Sequence, residues 1–346
     1  LNSYLRLHMK LLNTALSALA ISTVLISALN ADKFIPTNNK HLAVEYTIDG
    51  DIDEKFFEFT KKPLEDAGFF LSNPHHNVNI VYEQQVGETS LNQLSFSSLV
   101  NDEVARPLLN VDPRIGGFTP FNLVIYRKKS DNKSVITHIT PEAALDVLQI
   151  TDANVRKTYI EMYKPLDAMI EKHFSGALKS YTKIESFAEK TMMNFEIPFD
   201  EPEDVEDFFD EFQETFESAF ETKGYIIAGF YNMKDSLNSD EDVMPGYDAY
   251  VVWSLCHVPF SYTIFDGEKP LPRAAVFAPC SMYAYIKAGE NKIVIGMPTL
   301  GAWTSALGIT DKDKQAKIDQ LDVEIPAIIH SLGGIDTDNA NPLLRK

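Results

Sequence analysis

The chain has 346 residues, more than one hydrophobic core usually organises, so two compact domains are expected. Hydrophobic residues make up 45%, with 22 Phe and 14 Tyr, which excludes disorder of the chain as a whole. With 50 acidic against 31 basic residues the formal net charge is -19, so phosphate backbones and anionic headgroups are repelled and no nucleic-acid partner is expected.

In chain order, residues 1–31 read as a signal peptide. Met9 and Lys10 open "MKLLNTALSALAISTVLISALNA", a basic start, an apolar stretch and the small residue Ala31 before Asp32, and the residues ahead of Met9 read as mistranslated leader. A membrane anchor over residues 11–29 is the competing reading. Asn13, Ser17, Ser22 and Thr23 dilute that stretch, and no basic stop-transfer cluster follows it. The expected location is therefore the bacterial periplasm, where paired thiols tend to oxidise, with no membrane contact after cleavage.

The segment "LAVEYTI" alternates as a half-buried strand should. Residues 49–53 offer helix N-caps, Gly68 a C-cap, and Pro63 must kink or shorten the helix between them. "NVNIVYEQ" and "NQLSFSSLV" are predicted as strands, followed by a short helix over residues 103–109. "PFNLVIYRK" and "SVITHIT" then flank a polar turn as a hairpin, and a helix begins near Pro141.

This order is repeated. A shift of 159 residues aligns residues 113–152 with 272–311 without a gap, and sixteen of the forty positions are identical. The matches include Pro113 with Pro272, Arg114 with Arg273, Phe118 with Phe277, Pro120 with Pro279 and Tyr126 with Tyr285. The predicted fold class is α+β: two tandem repeats of a small β-α-β-β-α-β-β-α domain, with helices packed on an antiparallel-rich sheet. Residues 32–176 form the first repeat, 177–190 a linker, 191–333 the second repeat and 334–346 a C-terminal tail. In the acidic stretch after Asp200, Val205, Phe208, Phe209, Phe212, Phe216 and Phe220 recur at helical spacing, which predicts a helix with its carboxylates in water.

Phosphate-loop, nucleophile-elbow, HExxH and CxxC motifs are absent, and no cofactor is specified. The candidate ligand-binding residues are Cys256, His257 and Cys280, whose counterparts under the same shift are Ser97, Ser98 and Phe121. They allow a Cys256–Cys280 disulfide, a soft-metal site helped by Met282 or Met297, a thiol activated by His257, or two inert thiols. His173 and His330 are expected at helix ends, His75 and His76 on the surface, and Trp253 and Trp303 in packing.

Gly224-Tyr225, Cys256 with Pro259, Pro279-Cys280 and Leu307-Gly308-Ile309, in this order and spacing, resemble the family catalogued as a domain of unknown function, number three hundred and two. The first copy keeps Gly68-Phe69, Pro120 and the "LQI" at 148–150 but departs at both cysteines. The resemblance implies a small α+β sandwich that pairs as a dimer, so that two copies on one chain would form an intramolecular pseudo-dimer; it supplies no reaction. The leading expectation is a non-enzymatic periplasmic protein that binds a small ligand or a protein partner through the second copy. The alternative is a thiol-based redox, sulfur-handling or soft-metal protein using Cys256, His257 and Cys280.

Overall fold

The computed structural model describes residues 40–235 and 244–337, so the predicted leader lies outside the described residues. In the first half, strand β1 (His41–Asp49) follows its alternating sequence, and helices α1 (Asp53–Phe59) and α2 (Lys62–Asp66) come next. Pro63 sits in the first turn of α2, so the predicted helix is split rather than kinked. Then follow β2 (Phe70–His75), α3 (Val78–Val86), β3 (Leu91–Val100), α4 (Asp102–Val111) and a 3-10 turn (Pro113–Phe118). The half closes with β4 (Phe121–Lys128), β5 (Lys133–Ile139), α5 (Pro141–Val147), α6 (Ala153–His173) and β6 (Leu178–Lys183).

Helix α3 corrects the strand expected at "NVNIVYEQ". Asn77 and Gly87, with φ of 54° and 93°, turn the chain left-handed at both ends, which isolates the segment from its neighbouring strands. The Asn79 side chain bonds to Leu91 O and Leu94 N, fastening the helix to β3. The strand missing from that reading is β2, one step earlier, with Pro74 inside it.

The second half runs β7 (Met192–Pro198), α7 (Val205–Glu221), β8 (Ile226–Asn232), β9 (Tyr247–Cys256), α8 (Val258–Phe265) and a second 3-10 turn (Pro272–Phe277). It ends with β10 (Cys280–Lys287), β11 (Lys292–Pro298), α9 (Leu300–Leu307), α10 (Lys312–Ser331) and the short β12 (Ile335–Asp336). The acidic helix α7 buries Phe209, Phe216 and Phe220, and Phe216 stacks at 4.2 Å on the buried Trp253.

Each half builds a six-stranded antiparallel sheet. The orders are β2-β3-β4-β5-β1-β6 and, read from the matching edge, β8-β9-β10-β11-β7-β12. The two are equivalent strand for strand, as a tandem duplication produces. Two segments read as a linker and a tail supply the edge strands β6 and β12.

The halves lock by exchange. The turn Pro113–Phe118 packs on β10 and β11 of the second half, while Pro272–Phe277 packs on β4 and β5 of the first. Phe118 and Phe277, equivalent residues, meet at 6.2 Å between ring centres. Around this contact Tyr250 Oη donates to Pro113 O and Tyr247 Oη to Leu109 O, both at 2.6 Å, and Arg273 pairs with Glu45 at 3.4 Å. Each buried hydroxyl bond contributes about 1 kcal/mol net, and apolar burial contributes the rest.

Gly116 is where this docking is tightest. A Cβ there would lie 2.2 Å from Tyr250 Oη and 2.9 Å from Tyr283 Cβ, so the tyrosine would have to leave Pro113 O. Gly116→Ala is expected to destabilise the protein by about 2 kcal/mol, read as a lower urea midpoint; an unchanged midpoint would show that the docking contact is not needed.

Candidate functional site

Two equivalent places arise where the edge of one half faces the other. Cys280 pairs with Leu255 in the second sheet, as Phe121 pairs with Leu99 in the first. Leu255 therefore corresponds to Leu99, Cys256 to Val100 and His257 to Asn101. This corrects the counterparts Ser97 and Ser98. The 159-residue shift holds for the hairpin but is 156 residues on β9, because the connection before Pro272 is three residues longer than that before Pro113.

Local structure bears out the new correspondence. Asn101 caps α4 by accepting the Val104 N–H, and His257 caps α8 by accepting the Phe260 N–H on Nδ1 at 3.2 Å. Both residues end a strand and start a helix, so the same backbone demand is met by an amide in one half and an imidazole in the other.

In the first-half place larger and charged side chains are tied to one another. Tyr231, the register equivalent of His75, donates to Asp102 at 2.7 Å, and Asp102 pairs with Arg106 at 3.1 Å. The Arg106 Nε donates to Met233 O at 2.9 Å, and its Nη2 to Asp235 O. Phe121 is stacked at 4.4 Å on Tyr163 and packs edge-on against Phe69.

In the second-half place Asp102, Arg106, Tyr231 and Phe121 are replaced by Val258, Tyr262, His75 and Cys280, and a pocket of about 180 Å³ is left. Its floor is Leu255, Phe260, Phe265 and Trp303; Val78 and Val81 of α3, with the exposed Ile226, form its rim. Cys256, His257 and Cys280 all line it, so the three sequence candidates do converge. His75 also lines it and is half-buried, which corrects the surface position expected for it; His76 is exposed, as expected. Trp303 combines packing on Phe277 at 5.0 Å with a place in the pocket wall.

The expected disulfide is not formed: both cysteines are free. Cys280 lies opposite Leu255, one residue short of Cys256, and side chains on a strand alternate between faces, so the register does not oppose the two sulfurs. Burial pushes the Cys256 thiol up to about 11, against the hydrogen bond it shares with Ser261, and raises Cys280 further, with Cys256 and Asp322 adding to it. Burial lowers the imidazole pKa of His257, and that of His75 likewise. The site thus holds two protonated thiols, and burial among apolar walls disfavours charge on both imidazoles. Among the described residues no three His, Cys, Asp or Glu side chains are grouped to hold a metal ion, so the soft-metal alternative lacks a preformed site.

Behind Cys280 lie further titratable groups that sequence reasoning missed. The Tyr225 hydroxyl is buried beside the Glu324 carboxylate, and its ring lies 5.2 Å from that of His257. Asp322 accepts the N–H groups of Leu300 and Gly301 at 2.8 and 2.7 Å at the start of α9, yet burial raises its carboxyl to about 6. The 159-residue alignment places Tyr163 opposite Asp322, a signal that one helix had exchanged an aromatic for an acid at a core position.

These thiol and carboxyl states can be tested in solution. With a pKa near 11, about one Cys256 in a thousand is ionised at pH 8, so iodoacetamide should label the native cysteines more than about a hundredfold more slowly than the unfolded chain. Two thiols should be titratable on unfolding without reductant. Asp322 holds its proton more tightly folded than unfolded, so its contribution to stability is full below about pH 4 and lost as pH rises to about 6. Subtracting urea curves of Asp322→Asn from wild type should isolate a downward slope over that window, totalling up to about 3 kcal/mol; a flat difference would contradict the assignment.

Among known proteins, residues 74–173 match the family model described as "Domain of unknown function DUF302". These residues lie in the first half and contain neither cysteine, so the Cys-x-x-Pro and Pro-Cys steps fall outside the match. No curated protein matches the chain. A solved structure described as an uncharacterized conserved DUF302 protein from Bacillus stearothermophilus is 20% identical, with a TM-score of 0.32, covering 37% of this chain and 96% of that one. The chain thus contains, at residues 74–173, a segment that matches DUF302, a family description that carries no activity.

Proposed function

We propose that the protein binds a small, mainly apolar, uncharged molecule in the pocket between its halves, and that it is a binding protein rather than an enzyme. The observation that carries this reading is the asymmetry of two equivalent places: one is closed by Tyr231, Asp102, Arg106 and Phe121, the other is left open with an apolar lining. Ligand pockets are concave and mostly apolar, with a few polar groups. An apolar cavity of about 150 Å³ accepts benzene, so 180 Å³ suits a single ring with a short substituent. Each ligand CH₂ buried there contributes about 0.8 kcal/mol.

Thiol chemistry is the weaker reading, because burial keeps both sulfurs protonated while nucleophilic attack and metal ligation need thiolates. The sequence at residues 1–31 supports export, which makes the periplasm the proposed place of action. No described helix is long and apolar enough to cross a membrane.

Cys280→Phe tests the proposal by placing in the second half the residue that occupies the equivalent position of the first. Wild-type protein should bind ring-sized apolar probes such as ethylbenzene by calorimetry, one per chain, and the variant should lose that binding with an unchanged melting profile. Val81→Phe, at the rim, should do the same independently. Probe binding by both variants at wild-type strength would sink the reading.

A further inference from the structure

Resting on that pocket as the binding site, the remaining polar groups define which end of a ligand it recognises. His257 has a fixed tautomer. Its Nδ1 accepts the Phe260 N–H that starts α8, so in the neutral ring the proton is on Nε2. Among the described residues no side chain accepts a hydrogen bond from that nitrogen, and His257 is one of the residues that line the pocket. Ser261 Oγ is already committed to Val258 O at 3.0 Å. The two protonated thiols add weak donors, and no lysine or arginine lines the pocket. The His257 donor and the lack of a lining cation suit an uncharged acceptor and leave an anion's lost hydration uncompensated, while the buried Nε2 of His75, without a partner, lines the same pocket.

We infer that the ligand carries a carbonyl oxygen on an apolar body, and that this oxygen accepts the Nε2 hydrogen of His257. The first half supplies the control for this assignment. Asn101 meets the same capping demand there, but its amide nitrogen lies 3.1 Å from the Cβ position of Gly68, packed against backbone rather than facing a pocket. The imidazole does what the amide does for the helix and reaches further with its second nitrogen. His257 is therefore a helix cap and a specificity-determining residue at once.

The experiment compares acetophenone with 2-phenylpropene, nearly the same shape with C=CH₂ in place of C=O, by calorimetry on wild type and on His257→Ser. Serine keeps an acceptor for the Phe260 N–H and removes the second donor. Acetophenone affinity should fall about tenfold in the variant, the worth of one net hydrogen bond, while 2-phenylpropene changes less than about twofold. Equal losses for both ligands would overturn the inference and leave the pocket reading standing; failure of wild type to bind either would bring down both. Should the serine variant not fold, carbonyl-labelled acetophenone bound to wild type decides: its carbon-13 resonance should move downfield from its position in hydrocarbon solvent, and an unmoved resonance overturns the assignment.

Discussion

The exchange of two 3-10 turns across the centre of the molecule is the constraint on which everything else depends. Each turn leaves its own half just before the terminal hairpin and packs on the sheet of the other half, and Phe118 meets Phe277 where the two cross. Once the turns are exchanged, β2 and β8 are brought edge to edge, with Asn73 Nδ2 donating to Phe230 O at 3.3 Å. Gly229 permits that approach, since a Cβ there would lie 2.7 Å from Asn73 Cγ. Each edge strand then presents one residue to the opposite half, His75 from β2 and Tyr231 from β8, and the two equivalent places exist only because of this geometry.

What fills each place follows from a handful of substitutions in an otherwise shared frame. Asp102 and Arg106 on α4 make a charged pair that accepts the Tyr231 hydroxyl and ties down the chain after β8. The same helical positions on α8 carry Val258 and Tyr262, with no charge to attract a partner, and His75 is too short to fill the gap. Replacement of an aromatic by Cys280 removes the last plug. None of these changes disturbs a cap, a strand register or the exchanged turns, so the frame is preserved while the contents of one place are removed.

Much of this was legible in the chain. The hairpins at residues 121–139 and 280–298 were readable because alternation, a polar turn and a gapless internal repeat all agreed there. Helix α3 was not, since its short apolar run is compatible with either period, and the decision lies in left-handed Asn77 and Gly87 and in the Asn79 anchor to β3. The convergence of Cys256, His257 and Cys280 could be guessed from strand adjacency, but the contribution of His75 could not. It comes from the opposite half, and only the exchanged turns bring it there. The mistaken counterparts Ser97 and Ser98 have a simple cause: a uniform shift cannot follow a connection that differs by three residues, whereas backbone pairing can.

Covalent linkage of the halves bears on the pocket in another way. Its floor and inner wall come from the second half and part of its rim from the first, so in a dimer of separate subunits the same pocket would come apart whenever the protein was diluted below its dissociation constant. On one chain the facing half is always present at the high effective concentration a tether provides. The pocket therefore persists at any protein concentration, however scarce the molecule.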